Sequence, residues 1–394
     1  MKNSLRIGLV SSWFAWSCAF SLTATADPTE PNPRAIADEK PAKPQKPAKG
    51  KPGDAKGDGV VEPKVGAILD RFMQSKKIFP EGFNGSVLVA KGGEILLEKG
   101  YGIADAAKNT PIRADALWDW CSITKQFTAA AILKLEMQKK LSIDAPLAKV
   151  CPDCPKDKAK VTLRMLMNHT SGIDNTCKTI PHDAFTDREQ MMKGFLNSPL
   201  ISEPGSKWDY SNVAYFFLAG LIEKVSGQPY EKFIHEQLWK PGGVTDAFLI
   251  GDGDLDIRRV PKDDRGKGVE FAYGPRLTWG YRGAGGAVLT PRAMLAWDRA
   301  LRGDKVLSAD AKKKYYEVGK DNYALGWEIS NVAGDTVAAH SGHTGNVITY
   351  YLRNLTGDIV VAIAYSYEPP THPQITANNL MVIAKNGKAP SDLE

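Results

Sequence analysis

The chain carries strand-like sequence at its two ends and helix-like sequence between them, and this order restricts the fold more than any other feature. Near the start, "FNGSVLVAKGGEILLEKGYGIAD" reads as two strands joined by Gly92-Gly93, a dipeptide suited to a tight hairpin turn. From about residue 120 to 310 the patterns are mostly helical: 122–140, "TLRMLMNHTSG", "VAYFFLAGLIEKVSG" closed by Gly227, and "PRAMLAWDRALRG". The end returns to strands in "YALGWEIS", "DTVAAHSG", "NVITYYLRN" and "DIVVAIAYS", with short Gly, Asn or Asp turns between them. A last helix is expected at roughly 372–386. The pattern predicts an α+β fold: one antiparallel sheet built from both chain ends, flanking helices, and an inserted helical lobe. A ligand site is expected in the cleft between sheet and lobe.

Not all 394 residues belong to that fold. Residues 1–26 place Lys2 and Arg6 ahead of an apolar run and end in Ala24-Thr25-Ala26, the order of a cleaved secretory signal. That run is too short, and too interrupted by serine, for a stable membrane span. Cys18 raises lipoprotein anchoring as a minor alternative, against which Trp16 stands where a small residue is expected. Residues 27–64 alternate Pro with Lys and have almost no apolar content, so they cannot offset their ordering entropy and are expected to be a disordered tether. Residues 65–394 are the expected folded domain. The expected location is periplasmic or secreted.

The net charge of +6, two units of it from Lys2 and Arg6, gives no reason to expect a nucleic-acid or acidic-membrane partner. Of five cysteines, Cys121, Cys151, Cys154 and Cys177 lie beyond the signal. In an exported chain "CPDCP" reads first as part of a disulfide, either Cys151 to Cys154 or one of them to Cys177. Zinc would need further ligands at matching spacing, and no metal or other cofactor is expected.

One helix start is chemically odd. Thr124 to Leu133 reads as a buried helix, yet Lys125 sits in its first turn. A cation there faces the positive end of the helix dipole, a placement unfavourable by up to about 1 kcal/mol. A capping box would put Glu or Gln at that position, and Ser122 alone could be a plain N-cap. Three residues apart on a helix, Ser122 and Lys125 share a face. The dipole and burial both lower the lysine's pKa, and a neutral amine beside a hydroxyl is a general base. The helix start also supplies N–H groups for an oxyanion. Two further clusters join it: Tyr210-Ser211-Asn212 on a loop leading into a helix, and His340-Ser341-Gly342 ending a strand. Each has an ordinary explanation: an N-cap for Ser211 or Asn212, a packed aromatic for Tyr210, a strand-to-turn transition for the last.

Ser122-x-x-Lys125, Tyr-x-Asn and His-x-Gly stand in the chain order of the S-x-x-K, S-D-N and K-T-G set of serine β-lactamases and penicillin-binding proteins. The chain resembles the β-lactamase-like serine hydrolases, specifically the class C-related branch with its DD-peptidases, D-aminopeptidases and esterases. The likeness covers roughly residues 65 to 386 and extends to "LRMLMNHTSGI" and "GAGGAVLTPRAML". The resemblance implies a β-lactamase/transpeptidase-like fold and an acyl-enzyme on Ser122, with Lys125 sharing its proton. It implies that Tyr210 acts with Lys125 as base, then as acid to the leaving group. Asn212 would hold the substrate and orient Lys125, and the backbone N–H groups of Ser122 and His343 would form the oxyanion hole.

His340 would stand where the family has the Lys of K-T-G, with Gly342 two residues on. His343-Thr344-Gly345 is also an H-x-G. Counting six positions on, to Asn346 or to Thr349, favours His340 as the first motif residue, because Asn suits a turn. His169 would be structural. A calcium loop from Asp252 fails at Ile257 and Asp263. The implied substrates are esters, D-amino-acid amides or peptides (a cell-wall peptide included) and β-lactams. A non-catalytic penicillin or cell-wall receptor on the same fold would be expected to lose Lys125 or Tyr210. An imidazole at position 340 is a weaker anion site than a lysine, which tilts the expectation toward esters or amides lacking an essential anion.

Overall fold

The computed structural model describes residues 63–175, 187–262, 278–344, 347–366 and 371–389. The chain divides into two units, Met1–Gly57 and Asp58–Glu394, and every described residue lies in the second. Helix α1 (Pro63–Met73) comes first, beginning two residues ahead of the expected boundary at 65. Strands β1 (Gly85–Lys91) and β2 (Glu94–Tyr101) follow as a hairpin. Gly92 and Gly93 both hold positive φ, 61° and 83°, which is why this turn takes two glycines. A small hairpin, β3 (Ile103–Asp105) and β4 (Thr110–Pro111), leads to β5 (Trp118–Asp119).

The helical lobe begins with a 3₁₀ turn at Cys121–Ile123 that runs into α2 (Thr124–Met137). Thr124 to Leu133 is buried all round, as befits the central helix of a lobe. The expected helix to residue 140 stops at Met137, because Lys139 turns left-handed (φ 58°) and Lys140 N–H reaches back to the Leu135 carbonyl at 3.0 Å. Short helices α3 (Leu147–Val150) and α4 (Leu163–Met167) precede α5 (Arg188–Asn197) and α6 (Asn212–Ser226). Gly227 closes α6 at φ 73°, as its position in the sequence predicts. Then come α7 (Tyr230–Ile234), α8 (Lys240–Gly242), β6 (Ala247–Leu249), β7 (Ala287–Leu289), α9 (Pro291–Arg302) and α10 (Ala309–Tyr315).

Strands β8 (Glu328–Val332), β9 (Asp335–Thr344), β10 (Val347–Asn354) and β11 (Ile359–Tyr365) and helix α11 (Pro373–Asn386) complete the fold. The main sheet has the order β2-β1-β11-β10-β9-β8, antiparallel at every pairing. Its seam joins the two ends of the domain: Gly85 pairs with Tyr365 and Lys91 with Ile359. One face (Val87, Val89, Leu352, Val361, Ile363) packs with Leu69 of α1 and Leu380 of α11. The other (Leu88, Tyr351, Val360, Ala362) joins the core of the helical lobe. Both faces are covered, so β11 is buried along its whole length and reads as an unbroken apolar run, "IVVAIAY". The α+β arrangement expected from the order of elements is the one observed.

A buried ion pair fastens lobe to sheet. Arg353 of β10 and Asp298 of α9 meet at 2.8 Å with side chains 3% and 2% exposed, and Arg302 reaches the same carboxylate at 2.7 Å. Removing the acid leaves a guanidinium buried without its counterion, which costs about 3–5 kcal/mol. Asp298→Ala is therefore expected to lower the unfolding free energy by about that much in urea titrations. A loss below about 1 kcal/mol would show that solvent reaches Arg353 on relaxation.

Candidate active site

The site is built on the turn between β5 and α2. Asp119, buried at the end of β5, accepts the Cys121 N–H at 2.7 Å, the Gly286 N–H, and the Tyr281 hydroxyl at 3.3 Å. That grip holds Cys121 in the left-handed region (φ 51°), an unfavourable conformation for a residue with a side chain. Trp120 N–H donates to Ala287 O at 2.8 Å, and Ala287 N–H returns to Thr124 Oγ1 at 3.1 Å. The turn is thereby tied to β7, and Ser122 emerges from it half-buried, one residue ahead of the N-cap. Ile123 occupies the N-cap with no side-chain bond, so Ser122 has no capping duty.

Lys125 lies one turn on, fully buried. Its Nζ donates to Ser122 Oγ at 3.1 Å and to the Ala284 carbonyl at 3.0 Å, and sits 4.9 Å and 5.5 Å from the ring centres of Tyr210 and Tyr215. Desolvation holds its pKa well below the usual lysine value. The "GAGG" segment comes close because it is glycine: a Cβ on Gly283 would stand 2.6 Å from the Tyr215 carbonyl.

Tyr210 is pinned through its neighbours. The His169 carbonyl accepts the Asp209 N–H at 2.8 Å, and His169 Nδ1 accepts the Ser211 N–H at 3.1 Å. The imidazole lies 4.3 Å from the Tyr210 ring. His169 thus serves the structural part its sequence context implies, with its proton on Nε2. Burial first, then the Lys125 charge, keeps it neutral. Ser211 caps α6 by accepting the Ala214 N–H at 3.2 Å. The Tyr210 hydroxyl bonds to Ser122, and burial raises its pKa above the ordinary phenol value. Asn212, the first residue of α6, donates its backbone N–H to Asn175 Oδ1 at 2.6 Å.

Strand β9 forms the other wall. His340 is buried, with Nδ1 on the Ser341 carbonyl at 2.5 Å and Nε2 on the Tyr323 hydroxyl at 2.8 Å. The first contact puts the proton on Nδ1, so Nε2 accepts from Tyr323. Burial, then the Lys125 charge, lowers the His340 pKa to about 3. Gly342 faces the turn so closely that a Cβ would meet Thr349 Oγ1 at 2.3 Å and the Trp120 carbonyl at 2.6 Å. His343 is exposed. Asn346 lies outside the described residues, but burial separates the two histidines: His340, not His343, lies near Tyr210, at 6.4 Å between ring centres.

Four expected residues (Ser122, Lys125, Tyr210, His340) thus meet in one cluster, and Gly342 borders it, while Asn212 follows Tyr210 by two residues with its backbone held by Asn175. The residues "CPDCP" behave differently from expectation. Cys151 and Cys154 are free thiols, Cys151 packed in the lobe core and Cys154 directed at the Pro155 carbonyl at 3.6 Å. The expected Cys151–Cys154 bond is absent, and Cys177 lies outside the described residues. Among the described residues no group of His, Cys, Asp or Glu is arranged to hold a metal, and Asp252 instead binds His235 and the Leu249 N–H, both at 2.7 Å. Sequence reasoning missed Asp119 and Tyr323. Asp119 had a signal, a single acid between two tryptophans beside the Ser-x-x-Lys.

Chemically, Ser122 Oγ is shared by an amine whose hold on its proton burial weakens and a phenol that burial keeps protonated. Such a pair can take the hydroxyl proton and hand one on to another atom.

A family model described as Beta-lactamase matches residues 78–385. The chain belongs to the beta-lactamase family. Within reach of this family, Penicillin-binding protein 4* of Bacillus subtilis (strain 168) is 32% identical over 298 residues, 69% of this chain and 65% of that protein. The chain thus spans just under two thirds of that relative's length. Esterase EstB of Burkholderia gladioli is 25% identical over 323 residues, 70% of this chain and 81% of the relative. Among solved structures, the D-amino acid amidase from Ochrobactrum anthropi SV3 superposes with TM-score 0.69 at 18% identity, covering 82% of this chain and 99% of that one. That last likeness concerns the fold.

Proposed function

We propose that the protein is an exported serine hydrolase that forms an acyl-enzyme on Ser122 and cleaves an ester or a D-amino-acid amide. The observation that carries this reading is the sharing of Ser122 Oγ between buried Lys125, at 3.1 Å, and Tyr210. Lys125 in its neutral form, which burial favours, takes the Ser122 proton together with Tyr210 as Oγ attacks the substrate carbonyl. The backbone N–H groups of Ser122 and His343 hold the developing oxyanion, and Asn212 steadies the substrate beside Lys125. As the tetrahedral intermediate collapses, Tyr210 protonates the leaving group; water then repeats the sequence and frees Ser122. The signal read at residues 1–26 supports export, and among the described residues no helix is long and apolar enough to cross a membrane. The esterase and penicillin-binding relatives favour ester and peptide chemistry over other acyl transfers.

Neutral His340 weighs against a β-lactam substrate, because it brings no cation for the drug's carboxylate. Purified protein is expected to take one fluorophosphonate adduct by intact mass, lost in Ser122→Ala. It should hydrolyse a p-nitrophenyl ester while nitrocefin is slow or stalls at the acyl-enzyme; a D-Ala-D-Ala peptide completes the panel. An adduct that survives Ser122→Ala would refute the nucleophile. A kcat/KM for nitrocefin well above the best ester would refute the substrate class.

A further inference from the structure

Asp119 is a buried carboxylate, which is costly unless donors surround it. Its donors come from two segments. The Cys121 N–H, at 2.7 Å, belongs to the turn that carries Ser122. The Tyr281 hydroxyl, at 3.3 Å, and the Gly286 N–H stand at the two ends of "YRGAGG". That second segment is pressed against α2. The Ala284 carbonyl accepts Lys125 Nζ at 3.0 Å, and the Gly283 carbonyl accepts Thr128 Oγ1 at 2.6 Å, one turn further along the helix. Gly285 lies under the Tyr281 ring, where a Cβ would collide with it. One carboxylate thus grips both halves of the proton-transfer pair, Ser122 through its neighbour Cys121 and Lys125 through Ala284. Closing the turn alone needs only the single acceptor of Asn or Ser. Three donors need a group that accepts without donating, and an ionised carboxylate is that group.

We propose that Asp119 is a positioning residue for the acyl transfer, a clamp that sets Ser122 Oγ and Lys125 Nζ at their 3.1 Å separation by holding both segments to one side chain. This inference rests on the acyl-enzyme reading and adds to it the group that aligns the pair.

The test uses the whole protein at pH 8, where Asp119, with a pKa of about 6, is ionised. A fluorophosphonate carried to completion counts competent sites by intact mass, and p-nitrophenyl acetate gives kcat and KM per counted site. Asp119→Asn keeps the size and one acceptor but turns N–H groups toward its former donors. It is expected to label nearly every molecule, only more slowly, with kcat per site lowered about thirtyfold and KM within about threefold of wild type. Tyr281→Phe leaves the carboxylate and its Cys121 contact, and should lose about fivefold. The double variant should match Asp119→Asn within about twofold, because the Tyr281 hydroxyl acts through the carboxylate. Asp298→Ala weakens the lobe-to-sheet ion pair without touching this turn, and should keep the wild-type rate per site. A per-site kcat within about threefold of wild type in Asp119→Asn overturns the proposal, however few sites label, because a merely structural acid changes the number of sites and not their rate. A double loss equal to the product of the singles, or an equal loss in Asp298→Ala, also overturns it. Should Asp119→Asn fail to fold, Tyr281→Phe within about twofold of wild type does the same. If wild-type protein labels and turns over ester while Asp119→Asn keeps its rate per site, only the clamp falls. If wild-type protein does neither, the acyl-enzyme reading falls with it.

Discussion

Lys125→Ala and Tyr210→Phe are each expected to lower kcat for ester hydrolysis about a thousandfold, while the double variant loses little beyond either single. The reason is geometric. Both groups act on one atom, Ser122 Oγ, through a contact of 3.1 Å from the lysine and a hydrogen bond to the tyrosine. Removing the amine leaves a phenol whose raised pKa makes it a poor base by itself. Removing the phenol's hydroxyl leaves an amine that can take the proton but has lost its relay to the leaving group. Once either is gone, the other has no proton transfer to complete. Independent contributions would multiply instead, to about a millionfold. A multiplicative loss in the double variant, measured by active-site-titrated kcat, would falsify the shared role. KM should change far less than kcat, because neither side chain is assigned to hold the substrate in the ground state.

The parts of this site that could be read in the sequence are those that local spacing controls. Ser122 and Lys125 stand three residues apart on one helix face, and Lys125 is out of place in a first turn unless it has chemistry to perform. The sheet could be read because its alternation, its Gly92-Gly93 turn and its two-ended layout are local signals. The turn at Cys121–Ile123 could not be read. The expected helix began at Ser122, but the buried Asp119 carboxylate draws the Cys121 N–H and forces a left-handed residue ahead of it. Tyr323 was hidden for the same kind of reason: it reaches His340 at 2.8 Å only because the segment leading into β8 is carried alongside β9. The cysteines were less legible: spacing and export context argued for a bond, but Cys151 and Cys154 are not joined to each other, and Cys177, the other expected partner, lies outside the described residues.

Stability against pH should follow a plateau and then a steep fall, because four buried or half-buried groups titrate in opposed pairs. Asp119 and Glu328 have folded pKa values of about 6 and about 7, raised from 3.8 and 4.5, chiefly by desolvation. A raised carboxyl contributes stability that is fully present below its unfolded value and is lost as pH rises through the folded one. Acidification from pH 7 to about 4 therefore gains stability from both, and solvent at half-buried Glu328 weakens its share.

His340 and His169 run the other way. Burial lowers His340 from 6.5 to about 3 and His169 well below 6.5. Their contribution is complete above pH 6.5 and drains as pH falls toward the folded values. Each group changes stability by about 1.4 kcal/mol per pH unit inside its window. Between pH 6 and 4.5 the two pairs offset, and urea midpoints should move little. Below pH 3.8 the carboxyls are protonated in both states and gain nothing more, while His340 continues to lose stability until the pH reaches its folded value of about 3. Ion-paired carboxylates such as Asp144 beside Arg164 steepen that fall. Asp119→Asn removes one side of the balance. This variant should lose about 1.4 kcal/mol per unit across the range where the wild type is flat. A wild-type loss above about 2 kcal/mol between pH 6 and 4.5, or a variant as flat as the wild type, would show that Asp119 does not titrate inside the fold.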